Sequence, residues 1–286
     1  MVTPFDAGFG LDLPKAKRLA HMLVDTGTEA IVVGGTTGES PALSHEEKIC
    51  LFRAVIEAVG QDVPVIAGTG TNSTRDSIAL TKEAEEAGAD GIMLVTPYYN
   101  KPPQQGLVDH FTKVAQATGL PVLLYNVPSR TGVNLLPASL ERLAAAPNIV
   151  AVKEASGNID QVTEILRRVP DDFIVYSGDD SFTLPLLSVG GYGIVSVASH
   201  VAGPLIAEML KHYVLGDTAA AAKAHRDLFP LFKALFVTTN PIPVKAALSM
   251  AGFDVGGLRL PLSPMSPEDQ KVLRQAMAEV GILKCP

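Results

Sequence analysis

The residue with the clearest potential for chemistry is a lysine inside an apolar segment. Lys153 lies in the run Ile149-Val150-Ala151-Val152-Lys153-Glu154-Ala155, whose composition predicts a buried parallel strand. Burial disfavours the charged ammonium form of an amine. A lysine amine that loses its proton is a nucleophile able to form a Schiff base with a carbonyl compound. The structural alternative is a lysine that pairs with Glu154 or reaches solvent at the end of the strand.

A glycine-rich segment follows an earlier apolar run. Gly34-Gly35-Thr36-Thr37-Gly38-Glu39 combines three glycines with two adjacent threonines. Backbone N–H groups in such a turn can converge on an anion, and the hydroxyls of Thr36 and Thr37 would lie beside it. A carboxylate or a phosphate would suit this segment. The alternative is a tight turn capped by threonine.

Tyrosine and arginine residues follow two other apolar runs. Tyr125 ends one run, and Arg130 follows it in a segment that reads as a loop. A phenol opposite a Schiff-base lysine could transfer protons, and a guanidinium could bind a carboxylate in bidentate fashion. Tyr98 and Tyr99 follow the preceding run. The alternatives are a Tyr125 that packs with its hydroxyl satisfied and an Arg130 that is a solvated surface charge. Together with Lys153, these side chains suit imine chemistry on a keto acid such as pyruvate.

The segments that would position these residues alternate between two patterns. Apolar runs at Ala30–Gly34, Pro64–Gly68, Gly91–Pro97, Pro121–Val127, Ile149–Ala155, Phe173–Gly178 and Gly193–Ala198 predict strands. Segments with helical spacing lie between them, including His45–Val59, Ser73–Ala87, Gln104–Ala117 and Ile159–Val169. A short first strand at Val2–Phe5 completes eight βα units, which predicts an α/β fold of the (β/α)8 TIM barrel class. A doubly wound sheet is disfavoured because the GxGxxG turn after the first strand is missing.

Two further strand ends and the C-terminal part complete the sequence-based picture. In a barrel, chemistry lies at the carboxyl ends of the strands, where Gly178 and Val195 are found, while Asp179 and Asp180 are expected to cap a helix. Helical patterns alone follow residue 200, at Pro204–Leu215, Thr218–Phe236, Pro241–Ala251 and Pro267–Val280. We therefore expect a barrel over residues 1–215 and a C-terminal helical extension over residues 216–286, packed on the barrel.

Composition excludes several classes of protein. Hydrophobic residues make up 47% of the chain and charged residues 19%, which argues against disorder. A net charge of −7 without any basic run argues against nucleic-acid binding, and no apolar stretch reaches the roughly 18 residues of a membrane helix. The six histidines show no zinc-binding spacing. Cys50 and Cys285 form no CxxC pair, and we expect a cytoplasmic protein without metal or disulfide.

The chain resembles the dihydrodipicolinate synthase family, part of the pyruvate-dependent class I aldolase superfamily. The resemblance rests on the segments Gly35–Glu39 (GTTGE), Tyr125–Gly132 (YNVPSRTG), Val152–Asn158 (VKEASGN) and Asn240–Lys245 (NPIPVK), and it extends from Val2 to about Leu283. It implies a homotetrameric barrel, a dimer of dimers, that needs no cofactor. Such an enzyme condenses pyruvate with L-aspartate 4-semialdehyde on the route to diaminopimelate and lysine.

The resemblance also implies a role for individual residues. Lys153 would form the imine with pyruvate, and Tyr125 would pass protons through Thr37 to Tyr99 of a neighbouring subunit. Thr36 and Thr37 would bind the pyruvate carboxylate and Arg130 the semialdehyde carboxylate, while Gly178 and Val195 would line the pocket. The alternatives are N-acetylneuraminate lyase and 2-keto-3-deoxygluconate aldolase, which share the lysine and the tyrosine. Arg130 favours the synthase, because a second carboxylate attracts a guanidinium and a polyol does not.

The family's effector site for L-lysine is the last feature that the resemblance implies. It maps to Ser40, Pro41, His45, Lys48, Asn72, Asp76 and Tyr98. Lys48 stands where an inhibited branch has histidine, and Asp76 replaces a longer glutamate. A fixed positive charge at position 48 should repel the cationic side chain of L-lysine. The sequence therefore predicts weak or absent feedback inhibition.

Overall fold

The computed structural model describes residues 1–283 of the chain; Cys285 lies outside them. The strands are β1 (Ile31–Val33), β2 (Val65–Gly68), β3 (Gly91–Val95), β4 (Val122–Asn126), β5 (Ile149–Glu154), β6 (Ile174–Ser177) and β7 (Gly193–Ile194). The helices are α1 (Leu13–Asp25), α2 (His45–Val59), α3 (Thr74–Glu86), α4 (Gln104–Ala115), α5 (Pro128–Thr131), α6 (Pro137–Ala144), α7 (Ile159–Arg168), α8 (Thr183–Ser188), α9 (Ser199–Val214), α10 (Thr218–Ala234), α11 (Ile242–Met250) and α12 (Pro267–Glu279).

The chain forms two compact units. The first unit holds residues 1–63 together with the chain from residue 196 onward, and the second unit holds residues 64–195. Strand β1 and helices α1, α2 and α9 to α12 belong to the first unit, and strands β2 to β7 with helices α3 to α8 belong to the second. The predicted boundary at residue 215 stays a prediction.

The second unit is a parallel sheet whose strands follow one another in chain order. Strands β2 to β7 each pair in parallel with the next strand along the chain. Helices α3, α4, α6, α7 and α8 lie in the connections between successive strands, as parallel pairing requires. This repeated βα order confirms the predicted α/β barrel class.

Alternation along β4 and β5 sorts their side chains between two faces. Leu124 and Val152 are fully buried in a hydrophobic cluster that also contains Phe111 of α4 and Ile165 of α7. Their chain neighbours Tyr125 and Lys153 must point to the other face, since successive residues of a strand alternate. The sheet therefore directs the phenol and the amine away from the helices.

Three helices of the first unit, α2, α10 and α12, begin where their capping residues predict. Ser44 caps α2 in a reciprocal capping box, because its side chain accepts from Glu47 N while the Glu47 carboxylate accepts from Ser44 N. Asp217 and Ser266 cap α10 and α12 through bonds to Ala220 N and Asp269 N. The predicted starts of these three helices are confirmed.

The first predicted strand, Val2–Phe5, is wrong within the described residues. Its backbone donors bond to scattered partners: Val2 N donates to His200 Nε2 at 3.1 Å, and Phe5 N donates to Val255 O at 3.0 Å. Phe5 forms only an isolated antiparallel bridge with Leu11. Pro4 has no N–H to add to a ladder, and the segment does not join regular strand pairing.

Other elements also differ from the prediction, and helix α9 begins at Ser199 rather than at Pro204. Strand β7 ends at Ile194 rather than at residue 198, because Ser196 Oγ accepts from Ser199 N at 2.9 Å and turns the chain into α9. Arg130 was expected in a loop but lies in the short helix α5, which begins at Pro128 and ends at Thr131 and is followed by Gly132 with φ +72°. Proline at the first position and glycine after the last favour this single helical turn.

Candidate active site

The second unit places Lys153 directly beside Tyr125. The two residues are register partners on strands β5 and β4, and Lys153 Nζ lies 4.1 Å from the centroid of the Tyr125 ring. Lys153 is 9% exposed and Tyr125 is 5% exposed. Among residues 1–283, no carboxylate lies within ion-pairing distance of Lys153 Nζ. A buried amine against an aromatic ring and away from carboxylates is suited to nucleophilic chemistry.

Glu154, the residue proposed as the alternative partner of this lysine, serves another purpose. Its carboxylate accepts hydrogen bonds from Ser156 N at 2.6 Å, from Asn126 Nδ2 at 2.9 Å and from Gln161 Nε2 at 3.2 Å. Glu154 is fully buried on the helix-facing side of β5. The network ties the ends of β4 and β5 to α7. The interpretation that Lys153 pairs with Glu154 is therefore wrong.

Gly178 provides the space that the lysine side chain occupies. A Cβ added at Gly178 would lie 2.8 Å from the Cβ of Ala155 and 3.1 Å from Cε of Lys153. Real Cβ atoms essentially never lie within 3.0 Å of another atom. Any residue larger than glycine at position 178 would therefore displace its neighbours. Val195 lies just after β7, and its N–H donates to Ser177 O at 2.9 Å. The structure thus brings Gly178 against Lys153, while Val195 follows the next strand of the same sheet.

Arg130 lies on α5, a turn that Thr131 stabilises from within. Thr131 Oγ1 donates to Val133 O at 2.9 Å and receives a hydrogen bond from Thr96 Oγ1 at 3.3 Å. Thr131 is buried, whereas Arg130 is exposed. The turn therefore fixes the backbone from which the guanidinium projects.

Tyr99 lies on the surface of the second unit. It is 89% exposed, and its φ of +73° is rare for a residue with a side chain. Asn100 supports this loop, because its Nδ2 donates to Asn72 O at 2.9 Å and its N–H donates to Tyr98 O at 2.9 Å. Exposure of a large aromatic side chain and a positive φ are both energetically unfavourable. Together they make Tyr99 a candidate for a functional contact.

Thr36 and Thr37 lie in the first unit, within the 3-10 turn Thr36–Gly38. Glu39 ends this turn in the left-handed conformation, with φ +55°. Its buried carboxylate accepts from Lys245 Nζ at 2.6 Å and from Arg259 N at 3.0 Å. The side chains of Lys245 and Glu39 are 3% and 0% exposed. This buried ion pair was not anticipated from the sequence, although both residues lie in segments that carry the family resemblance.

The residues of the predicted effector site are distributed over both units. In the first unit, Ser40 begins the 3-10 turn Ser40–Ala42, while His45 and Lys48 lie in the first turns of α2. Burial lowers the pKa of the Lys48 ammonium. In the second unit, Asn72 precedes α3, Asp76 lies in its first turn and pairs with Arg75 at 3.1 Å, and Tyr98 follows β3. The effector site stays a prediction.

Residues 1–283 contain no cluster of three or more His, Cys, Asp or Glu side chains that could hold a metal ion. Within the same residues, no helix is both long and apolar enough to span a membrane.

The fold and the pair of Lys153 with Tyr125 define an α/β-barrel enzyme with a buried lysine beside a tyrosine at adjacent strand ends. The chain belongs to the dihydrodipicolinate synthetase family, whose model matches residues 1–280. It is 59% identical to 4-hydroxy-tetrahydrodipicolinate synthase of Moorella thermoacetica over 283 residues, which cover 99% of this chain and 97% of the relative.

Solved structures agree with this assignment. A dihydrodipicolinate synthase of Bacillus anthracis is 50% identical, with a TM-score of 0.96 over 100% of this chain and 96% of that chain. A synthase of Cyanidioschyzon merolae, solved with lysine bound, is 50% identical, with a TM-score of 0.97 over 99% of this chain and 97% of that chain. The family resemblance drawn from the four sequence segments is confirmed.

Proposed function

We propose that the chain is a 4-hydroxy-tetrahydrodipicolinate synthase, a lyase that condenses pyruvate with L-aspartate 4-semialdehyde through a Schiff base on Lys153. The observation that carries this proposal is the placement of Lys153 Nζ, buried and 4.1 Å from the centroid of the Tyr125 ring. Family membership and relatives that bear this name support it. The reaction belongs to the biosynthesis of diaminopimelate and lysine.

In the proposed reaction, the Lys153 amine attacks the ketone carbon of pyruvate, and loss of water from the carbinolamine gives the imine. Removal of a proton from the methyl carbon gives the enamine, whose carbon attacks the aldehyde carbon of the second substrate. The amino group of that substrate then attacks the imine carbon and closes the ring. The bond between the ring carbon and Nζ of Lys153 then breaks, and its electron pair stays on the nitrogen, which regenerates the amine. No external cofactor enters these steps.

Other residues receive roles from the family resemblance. Tyr125 exchanges protons with the reacting oxygen and carbon atoms, and its place beside Lys153 supports this role. Thr36 and Thr37 bind the pyruvate carboxylate, with Thr37 in the path of proton transfer. Arg130 binds the carboxylate of the semialdehyde. Gly178 and Val195 line the pocket, and the close approach of Gly178 to Lys153 supports the first of these two assignments.

Assembly and location follow from the same proposal. We infer a homotetramer, a dimer of dimers, in which Tyr99 reaches the active site of a neighbouring subunit. The exposure of Tyr99, 89%, and its outward loop support a role at a surface between subunits. We place the enzyme in the cytoplasm and expect weak inhibition by L-lysine.

A coupled assay tests the substrate assignment. Pyruvate is offered with L-aspartate 4-semialdehyde, with N-acetylmannosamine or with glyceraldehyde, and product formation is followed for each. Turnover with the semialdehyde alone is expected, whereas turnover only with a sugar aldehyde would assign the chain to the keto sugar acid aldolases. Turnover with none would leave a barrel that binds an anion without catalysis.

Arg130 provides a sharper version of this assay. Because a charge-assisted hydrogen bond contributes roughly 1.5–3 kcal/mol, Arg130→Met should raise KM for the semialdehyde by about tenfold or more. The KM for pyruvate should stay within about twofold, since Arg130 serves the second substrate. Equal rises for both substrates would contradict the role given to this guanidinium.

A further inference from the structure

The turn that holds Thr37 is bound at two points by residues at the start of α11. Asn240, two residues before the helix, donates from Nδ2 to Thr37 Oγ1 at 2.9 Å. Lys245, on the helix, donates from Nζ to Glu39 Oε1 at 2.6 Å. All four residues belong to the first unit. The sequence separation of 203 and 206 residues shows that these are long-range tertiary contacts.

The bond from Asn240 determines what the Thr37 hydroxyl can do. A hydroxyl has one hydrogen to donate and two lone pairs that accept. Because the amide nitrogen of Asn240 can only donate, it occupies a lone pair of Thr37 Oγ1 and leaves the hydroxyl hydrogen for another acceptor. Among residues 1–283, Asn240 is the hydrogen-bond partner of the Thr37 side chain. Asn240 is 5% exposed, so water competes little for its amide.

The second contact keeps the turn itself in place. Lys245 Nζ also donates to Gly257 O at 2.6 Å and lies 4.3 Å from the centroid of the Phe5 ring. The other oxygen of the Glu39 carboxylate accepts from Arg259 N at 3.0 Å. Both charged groups are therefore held by several partners. This arrangement fixes Glu39 in its left-handed conformation immediately after Gly38.

We propose that Asn240 is a positioning residue that presets the Thr37 hydroxyl as a hydrogen-bond donor toward the bound keto acid, on a turn anchored by the Lys245–Glu39 pair. This inference rests on the proposed function, in which Thr37 transfers protons. Asn240 does not touch the reacting atoms. It acts by excluding the hydroxyl orientation in which the proton of Thr37 points toward α11.

Two substitutions at position 240 separate orientation from packing. Asn240→Asp preserves the shape of the side chain but replaces a donor with an acceptor, which draws the Thr37 proton away from the keto acid. Asn240→Ala removes the bond and leaves the hydroxyl free to rotate. We expect Asn240→Asp to lower kcat by at least about tenfold and Asn240→Ala to lower it less. If the isosteric aspartate were the milder change, packing rather than orientation would explain the contact, and the inference would be wrong.

A double-mutant cycle with Thr37→Val controls for the added charge. In that background, Asn240→Asp and Asn240→Ala should each change kcat by less than about twofold, because the group they orient is gone. An undiminished loss in the valine background would overturn the inference. Thermal melting checks the fold of every variant, and the alanine cycle remains decisive should the aspartate variant not fold.

Borohydride trapping of pyruvate on Lys153 in the unchanged protein separates the two proposals. Absence of trapping there would mean that the proposed function fails. Normal trapping and turnover in the unchanged protein, combined with a harmless Asn240→Asp, would mean that only the positioning role fails.

Discussion

Lys153 Nζ lies 4.1 Å from the centroid of the Tyr125 ring, and the two residues are register partners on neighbouring parallel strands. Their separation therefore follows from the spacing of paired strands, about 4.8 Å, and not from the conformation of a loop. A backbone bond just beyond the pair holds this register, because Ala155 N donates to Asn126 O at 2.9 Å, while Thr96 N, immediately after the neighbouring strand β3, donates to Tyr125 O at 2.9 Å. Placement on rigid strands gives a catalytic pair reproducible geometry.

Tyr125→Phe should separate the packing of this ring from the chemistry of its hydroxyl. The phenylalanine ring keeps the contact with Lys153 but cannot transfer a proton. Because general acid–base catalysis contributes roughly 10²- to 10⁴-fold, we expect kcat to fall by about 10²-fold or more. The coupled assay measures this loss, and an unchanged melting temperature shows that the fold persists. A variant with nearly full turnover would remove Tyr125 from the mechanism.

Gly178→Ala tests whether the space around the lysine stem is required. The added Cβ would lie 2.8 Å from Ala155 Cβ, where one of the two groups must shift, and 3.1 Å from Lys153 Cε, where the lysine stem must give way slightly. Displacement of a reacting group by about 1 Å can cost about 10²-fold in rate, and overpacking costs about 1–3 kcal/mol of stability. We expect kcat to drop at least about tenfold.

Gly193→Ala is the matched control on strand β7. The Cβ added there would meet the Tyr176 ring at 3.6 Å, an ordinary contact. It should leave kcat within about twofold. Equal losses of kcat in the two alanine variants would show that the effect comes from any added methyl group in the sheet and not from contact with the lysine stem.

Removal of one member of the buried Lys245–Glu39 pair should lower the free energy of unfolding more than removal of both charges. Lys245→Met leaves the Glu39 carboxylate buried without its cation, which typically costs about 3–5 kcal/mol. Adding Glu39→Gln removes the unpaired charge, so the double variant should recover more than about 1 kcal/mol of the free energy of unfolding. Urea denaturation measures both values. Strictly additive losses would mean that the two side chains do not interact energetically.

His200 should make the protein less stable in acid. Burial lowers the pKa of its imidazole to about 3, from 6.5, and both ring nitrogens are engaged, with Val2 N and Val197 O. The unfolded chain binds this proton below pH 6.5 while the native state resists it, so stability is complete above pH 6.5 and is lost as the pH falls toward 3. Between pH 7 and pH 4.5 we expect a loss of roughly 2–3 kcal/mol from this residue.

His200→Gln should reduce that pH dependence, since an amide does not titrate in this range. Urea denaturation at pH 7 and pH 4.5 compares the slopes of the two proteins. Some dependence should remain in the variant, because burial also lowers the pKa of His110 to about 4. An identical pH dependence in both proteins would show that His200 is not the source.

Much of the fold could be predicted from local sequence, because the physical signals are local. The capping box of Ser44 and Glu47 fixes the start of α2 at His45, as predicted. The wholly buried strand β4 matches its apolar run to within one residue at each end. Val2–Phe5 was not predictable in this way, since its extended backbone is held by His200 and Val255, which are far away in the sequence.

In the candidate site too, contacts with a local sequence signal were predictable and long-range contacts were not. Lys153 and Tyr125 were expected together because the ends of neighbouring parallel strands must meet. The bond from Asn240 to Thr37 and the pair of Lys245 with Glu39 join residues more than 200 positions apart, at 203 and 206. No periodicity or spacing encodes such contacts. A buried lysine within an apolar helix was the available signal for Lys245, since an unpaired ammonium there would be costly.

The central claim is that the amine of Lys153 binds pyruvate covalently. The most direct measurement is incubation with pyruvate, reduction with borohydride, proteolysis and mass spectrometry of the peptides that contain Lys153 and Lys245. We predict one reduced pyruvate adduct on Lys153, none on Lys245, which is also buried but is paired with Glu39, and none in Lys153→Met. An unmodified Lys153 in a protein that turns over normally would contradict the account.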